Sequence, residues 1–195
     1  DYDDIAPLYH QIGVNLAVAD YRGYGASGGR PTFTTLVQDA HLLFGAVKKE
    51  LSQKSFKGDL WIMGRSMGSI SALELGYHYS DQIQGLIIES GFASVNRLIK
   101  HLGLPSRGIA LEPIENERLV MIRKISLPSL IIHGEFDNLV PLQEAMDLWT
   151  YLGTAKKELV IIPQADHNSV MFLGAEHYFG AIQKFIKATG SIAQR

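Results

Sequence analysis

Short apolar runs alternate with longer amphipathic ones along most of the chain. Apolar stretches at residues 14–19, 60–63, 84–89, 127–133 and 159–163 have the length and continuity of strands buried on both faces. Between them lie helical patterns. Residues 4–11 read as a helix closed by Gly13, and residues 35–51 place Leu36, Ala40, Leu43, Phe44 and Val47 on one face, with Gln38, Asp39, Lys48 and Lys49 mostly on the other. A helix opening at Met67 keeps Ile70, Leu73 and Tyr77 toward the sheet. Residues 141–152 turn Leu142, Ala145, Met146 and Trp149 inward, and residues 174–188 form the closing helix. Strand and helix in alternation predict βαβ units with right-handed crossovers, hence an α/β fold whose parallel sheet is sandwiched by helices. Residues 92–126 break the rhythm: 95–102 are helical, then Pro105, Gly108 and Pro113 interrupt, so this stretch reads as a small helical cap inserted in one domain over residues 1–195.

Composition narrows the function classes. With 195 residues, 46% of them hydrophobic, the chain can bury one sizeable core. Its 18 basic and 20 acidic residues leave a net charge of −2 with no basic stripe, which argues against nucleic acid or an anionic membrane as main partner. No apolar run approaches the roughly 18 residues of a membrane span. The absence of cysteine excludes disulfides and thiolate chemistry and suits a cytoplasmic setting. No cofactor motif stands up. Gly23, Gly25 and Gly28 satisfy the Gly-x-Gly-x-x-Gly spacing of a dinucleotide site, but Pro31 and the polar residues 32–35 delay the next helix, and no acidic residue ends a second strand about 20 residues on.

The chemistry concentrates at Gly64-Arg65-Ser66-Met67-Gly68, where an apolar strand ends abruptly and a helix begins. A serine at such a sharp turn stands clear of the sheet, and the helix N-terminus offers free N–H groups beside it. Two further loops after strands carry partners for it: Asp137 in His133-Gly134-Glu135-Phe136-Asp137, and His167 in Asp166-His167-Asn168. A serine hydroxyl needs a base, and the base needs a carboxylate that fixes its tautomer. Glu135 and Asp166 read as solvated loop residues, and His10, His41, His78, His101 and His177 as surface or packing residues. His133, Glu135 and Asp137 lack the fourth partner and the spacing of a metal site.

On Asp20-Tyr21-Arg22-Gly23-Tyr24-Gly25, Gly64-Arg65-Ser66-Met67-Gly68, His133-Gly134-x-x-Asp137-x-x-Val140-Pro141 and His167-Asn168, the chain resembles the α/β-hydrolase fold superfamily. Its likeness is to the small-cap serine hydrolases of the BEM46-like and prolyl-oligopeptidase-like esterase branch. The resemblance implies Ser66 as nucleophile, His167 as general base and acid, and Asp137 as orienting acid, with Glu89, at the end of a strand from which some relatives supply the acid, as the second candidate for that acid. It implies the Met67 backbone N–H as one oxyanion donor, with Tyr21, Arg65 and Met67 lining the substrate site, and a small-molecule acyl substrate cleaved as ester or thioester. A peptidase or amidase of the same fold, and a non-catalytic binding protein, are the alternatives. In the resembling family the second oxyanion donor follows an earlier central strand, so the chain is expected to be N-terminally incomplete, with that donor and strand lying upstream of residue 1.

Overall fold

The computed structural model describes residues 2–105 and 111–191. The chain divides into two compact units, Asp1–Asp59 and Leu60–Arg195. In the first, α1 (Tyr2–Gln11) ends at Gly13, and α2 (Phe33–Gln53) opens on a capping box in which Thr32 Oγ1 accepts the Thr35 N–H and Thr35 Oγ1 accepts the Thr32 N–H. Ala40 and Phe44 are buried on the expected face of α2. Asp39, read as outward, is buried as well, because its carboxylate takes both Nε and Nη2 of Arg22. That pairing holds the Asp39 carboxyl below the ordinary carboxylate range. Residues 14–19 are not a strand. They have no regular secondary structure, with Val18 52% exposed, and pair with no strand among the described residues; an apolar run becomes β structure only where a second backbone completes its ladder.

The second unit holds a parallel sheet of four strands among the described residues, in the order β1-β2-β3-β4. They are β1 (Trp61–Arg65), β2 (Gly85–Glu89), β3 (Ser129–Gly134) and β4 (Lys157–Ile162), close to the apolar runs that marked them. β2 and β3 are buried along their whole length, with Leu86, Ile88, Leu130, Ile131 and Ile132 fully enclosed. Each such side chain contributes about 1.5–3 kcal/mol by leaving water. Between β1 and β2 runs α3 (Gly68–His78), which packs on both strands. Its approach is close: a Cβ on Gly76 would come within 2.5 Å of Leu86 Cδ1, and one on Gly64 within 2.4 Å of the Gly68 carbonyl.

After β2, α4 (Val95–His101) is capped by the Ser94 hydroxyl on the Arg97 N–H. The expected interruption does not extend to Pro113, which sits in the first turn of α5 (Leu111–Lys124), where a missing N–H costs no helical bond; Gly108 lies outside the described residues. Buried Arg118 of α5 donates to the carbonyls of Phe92 and Ala93. Burial lowers its pKa to about 10. α6 (Leu142–Tyr151) is rotated from the expected phase: Ala145 and Leu148 face in, while Met146 and Trp149 are 45% and 40% exposed. Glu144 sets that phase. Its buried carboxylate accepts the Ala93 and Ser94 N–H groups and pairs with Arg97 at 2.9 Å. After β4 come the short α7 (Val170–Leu173) and α8 (Ala175–Thr189), the latter anchored by Tyr178, Ile182 and Phe185.

Candidate active site

Because the strands are parallel, the loops that follow Arg65, Glu89, Gly134 and Ile162 leave from one end of the sheet, where open α/β sheets place their sites. Ser66 stands immediately after β1 with φ 51°, a left-handed conformation that costs a non-glycine residue about 1–2 kcal/mol. Two bonds hold it there: its N–H donates to the Glu89 carbonyl at 2.9 Å, and its own carbonyl accepts the Ser69 N–H at 3.0 Å. Met67 follows as the N-cap of α3, so its amide has no acceptor within the helix. Its side chain is 41% exposed.

The loop after β3 carries Asp137, buried and fully engaged. Oδ1 accepts the amides of Leu139 and Val140 at 3.0 and 2.8 Å, and Oδ2 accepts Nδ1–H of His167 at 2.7 Å. Burial alone would raise the Asp137 pKa; the His167 bond, the Val140 amide and the two nearby imidazoles together outweigh it and hold the carboxyl below its usual range. His133 lies 3.6 Å from the same Oδ2. Its Nε2–H donates to the Val140 carbonyl at 2.8 Å, its Nδ1 has no hydrogen-bond partner among the described residues, and burial lowers its pKa, favouring the neutral ring.

The loop after β4 presents His167, and the nearby carboxylates shape it. Asp166 accepts the Asn168 and Ser169 N–H groups and the Ser169 hydroxyl, closing the turn around His167 and holding its own pKa low through the Ser169 bond first. Glu135, expected to be solvated, accepts the N–H of Gln164, whose φ is 60°. His133, Glu135 and Asp137 therefore serve three separate hydrogen-bond sets. Of the other histidines, exposed His101 reaches the Asn138 carbonyl at 2.8 Å, tying α4 to the Asp137 loop.

Glu89, the second candidate for the acid, has different partners: Arg65 Nε–H on Oε1 at 3.0 Å and the Tyr178 hydroxyl on Oε2 at 2.7 Å. Arg65 is turned the same way, its Nη2 donating to the His167 carbonyl and to Asn168 Oδ1 at 3.0 Å. Tyr21 belongs to the first unit, where it is half-buried and its carbonyl accepts the Tyr24 N–H. No sequence pattern singled out Tyr178, since its role comes from α8 folding back to Glu89.

Residues 1–112 match the model of the family described as Serine aminopeptidase, S33. The chain belongs to this family. Among curated relatives of this family member, the uncharacterized membrane protein YNL320W of Saccharomyces cerevisiae is 29% identical over 190 residues, covering 95% of this chain and 65% of its own length. The bem46 protein of Schizosaccharomyces pombe is 29% identical over 183 residues, 92% of this chain and 60% of its own length. The chain thus spans about three fifths of the length of these relatives. A monoacylglycerol lipase of Paleococcus ferrophilus superposes with a TM-score of 0.72 at 16% identity, covering 94% of this chain and 87% of that one. A Pyrococcus furiosus esterase gives 0.74 at 19%, covering 95% and 75%. These likenesses establish the α/β-hydrolase fold. No helix of the described residues is long and apolar enough to cross a membrane.

Proposed function

We infer that this member of the serine aminopeptidase family is a serine hydrolase that cleaves a small-molecule ester or thioester through an acyl-serine intermediate. The observation that carries the reading is the buried 2.7 Å bond between His167 Nδ1 and Asp137 Oδ2, set at the same sheet end as the left-handed Ser66. With its Nδ1 proton held by a carboxylate, the imidazole presents Nε2 as an acceptor, which is the form a base for serine requires. Ser66 Oγ attacks the substrate carbonyl as its proton passes to His167 Nε2. The resulting oxyanion lies toward the Met67 amide at the positive end of α3. His167 then returns the proton to the leaving oxygen or sulfur, and water repeats the sequence to free the acid. Asp137 stays ionised throughout and stabilises the imidazolium. The small cap expected within residues 92–126, where α4 and α5 lie, is assigned the choice of acyl group.

A fluorophosphonate probe tests the reading. Wild type labels at one serine and hydrolyses p-nitrophenyl esters or acyl thioesters faster than aminoacyl-naphthylamides, while Ser66→Ala loses labelling and turnover. Labelling that survives Ser66→Ala sinks the assignment, and a preference for the naphthylamides moves it to the peptidase alternative.

A further inference from the structure

Ser66 and His167 are supplied by opposite edges of the sheet described above. β1 and β4 are three strand spacings apart, about 14 Å, so no backbone ladder sets the distance between nucleophile and base. Arg65 precedes Ser66 in the chain, and its guanidinium reaches the carbonyl of His167 itself and the side chain of Asn168 next to it. The other edge of the guanidinium is fixed by Glu89, the residue in register with Arg65 on β2. Glu89 also accepts the Ser66 amide on its backbone carbonyl, so a single residue holds both the strained turn and the arginine. The Tyr178 hydroxyl, on a side chain 1% exposed, locks the second carboxylate oxygen. The chain of bonds runs from α8 through Glu89 and Arg65 to the backbone of the base.

We propose that Arg65 is a positioning residue that sets His167 against Ser66, with Glu89 and Tyr178 as its support, rather than a group that binds substrate. The proposal rests on the serine-hydrolase reading. The planar fork explains the choice of residue: three N–H groups directed at two oxygens of the His167 loop and at the Glu89 carboxylate of β2 need fixed directions, which a lysine ammonium does not offer. Three of the five guanidinium donors are thereby engaged within the protein.

The test measures Arg65→Ala, Arg65→Lys and Asn168→Ala beside Ser66→Ala, with p-nitrophenyl acetate as substrate and the rate of fluorophosphonate labelling as a second readout. Both reagents are small and carry no anionic group for an arginine to bind. Arg65→Ala is expected to lower kcat by about 10- to 100-fold with KM within twofold, the cost of a misplaced catalytic group. Added guanidinium at millimolar concentration restores part of that loss in Arg65→Ala and none in Ser66→Ala. Arg65→Lys falls between wild type and Arg65→Ala. Asn168→Ala, which keeps the Glu89 pair, lowers kcat by about 2- to 10-fold, the share of one hydrogen bond, and serves if Arg65→Ala does not fold. A raised KM with kcat unchanged overturns the proposal and returns Arg65 to substrate binding. So does a loss that guanidinium cannot rescue and that matches the fraction of unfolded protein. Labelling retained by Ser66→Ala is a different result, since it defeats the serine-hydrolase reading itself.

Discussion

Replacing Asp137 by asparagine isolates the charge and the tautomer from the shape. The amide oxygen can still take the N–H groups of Leu139 and Val140, which now lie 3.0 and 2.8 Å from Oδ1. The group facing His167 changes from acceptor to donor. Nδ1, 2.7 Å away, must then give up its proton, and the ring carries it on Nε2, where the serine proton has to arrive. The imidazolium of the transition state also loses its carboxylate. An arrangement of this kind loses about four decades of kcat, roughly 5.5 kcal/mol at 1.36 kcal/mol per decade. The fold loses one charge-assisted hydrogen bond, about 1.5–3 kcal/mol, which lowers Tm by roughly 3–12 °C in a domain of this size. Steady-state hydrolysis of p-nitrophenyl acetate, with thermal melting followed by circular dichroism, reads both quantities. A kcat within tenfold of wild type in a folded Asp137→Asn protein, while Ser66→Ala is dead, would refute the reasoning and point to another acid.

Two further outcomes follow from the same geometry. Ser66→Gly removes the cost of φ 51° and should raise stability by about 1 kcal/mol, or Tm by roughly 2–4 °C, while abolishing turnover; a lower Tm shows that the turn is not strained. Burial lowers the His133 pKa, so above about pH 6.5 the ring is neutral in both folded and unfolded chains and contributes no pH dependence; as pH falls below that value only the unfolded chain takes up the proton, and stability declines by at most about 1.4 kcal/mol per pH unit. Asp137 and His167 face His133 and Glu144 adds to its field, but a neutral glutamine in its place should flatten the pH 6.5 to 5 limb of urea-measured stability, and an unchanged limb removes His133 as its source.

β2 and β3 were legible because parallel strands enclosed on both faces are continuous apolar runs, as at Leu86 to Ile88 and Leu130 to Ile132; β1 and β4 carry the same kind of run although they are only partly buried. Residues 14–19 carry the same signal without being a strand, since pairing is a property of two segments and a run describes only one. The phase of α6 was misread for a related reason: Met146 and Trp149 are more apolar than Glu144, yet a buried glutamate with two amides and an arginine to satisfy it turned the helix. At the candidate site, turn chemistry after the strands marked Ser66, Asp137 and His167 as candidates, and of these the structure bonds His167 to Asp137. The partners of Arg65 did not show, because Glu89, His167 and Asn168 are 24, 102 and 103 residues away in sequence; Tyr178, which holds Glu89 in turn, lies 89 residues from it.

The strand order gives the protein a schedule as well as a shape. Each strand of the sheet adds beside the one made just before it, so the unit can grow outward from β1 while the chain is still leaving the ribosome. Arg65 and His167 are separated by 102 residues, which at about 5–20 residues per second takes roughly 5–20 s to synthesise. Through that interval the turn that carries Ser66 exists without His167, the base of the proposed mechanism, and without the bonds from Arg65 to the His167 loop. A lone serine hydroxyl is a feeble nucleophile. On the proposed mechanism the nascent chain therefore stays chemically silent until β4 and the loop that carries His167 have docked.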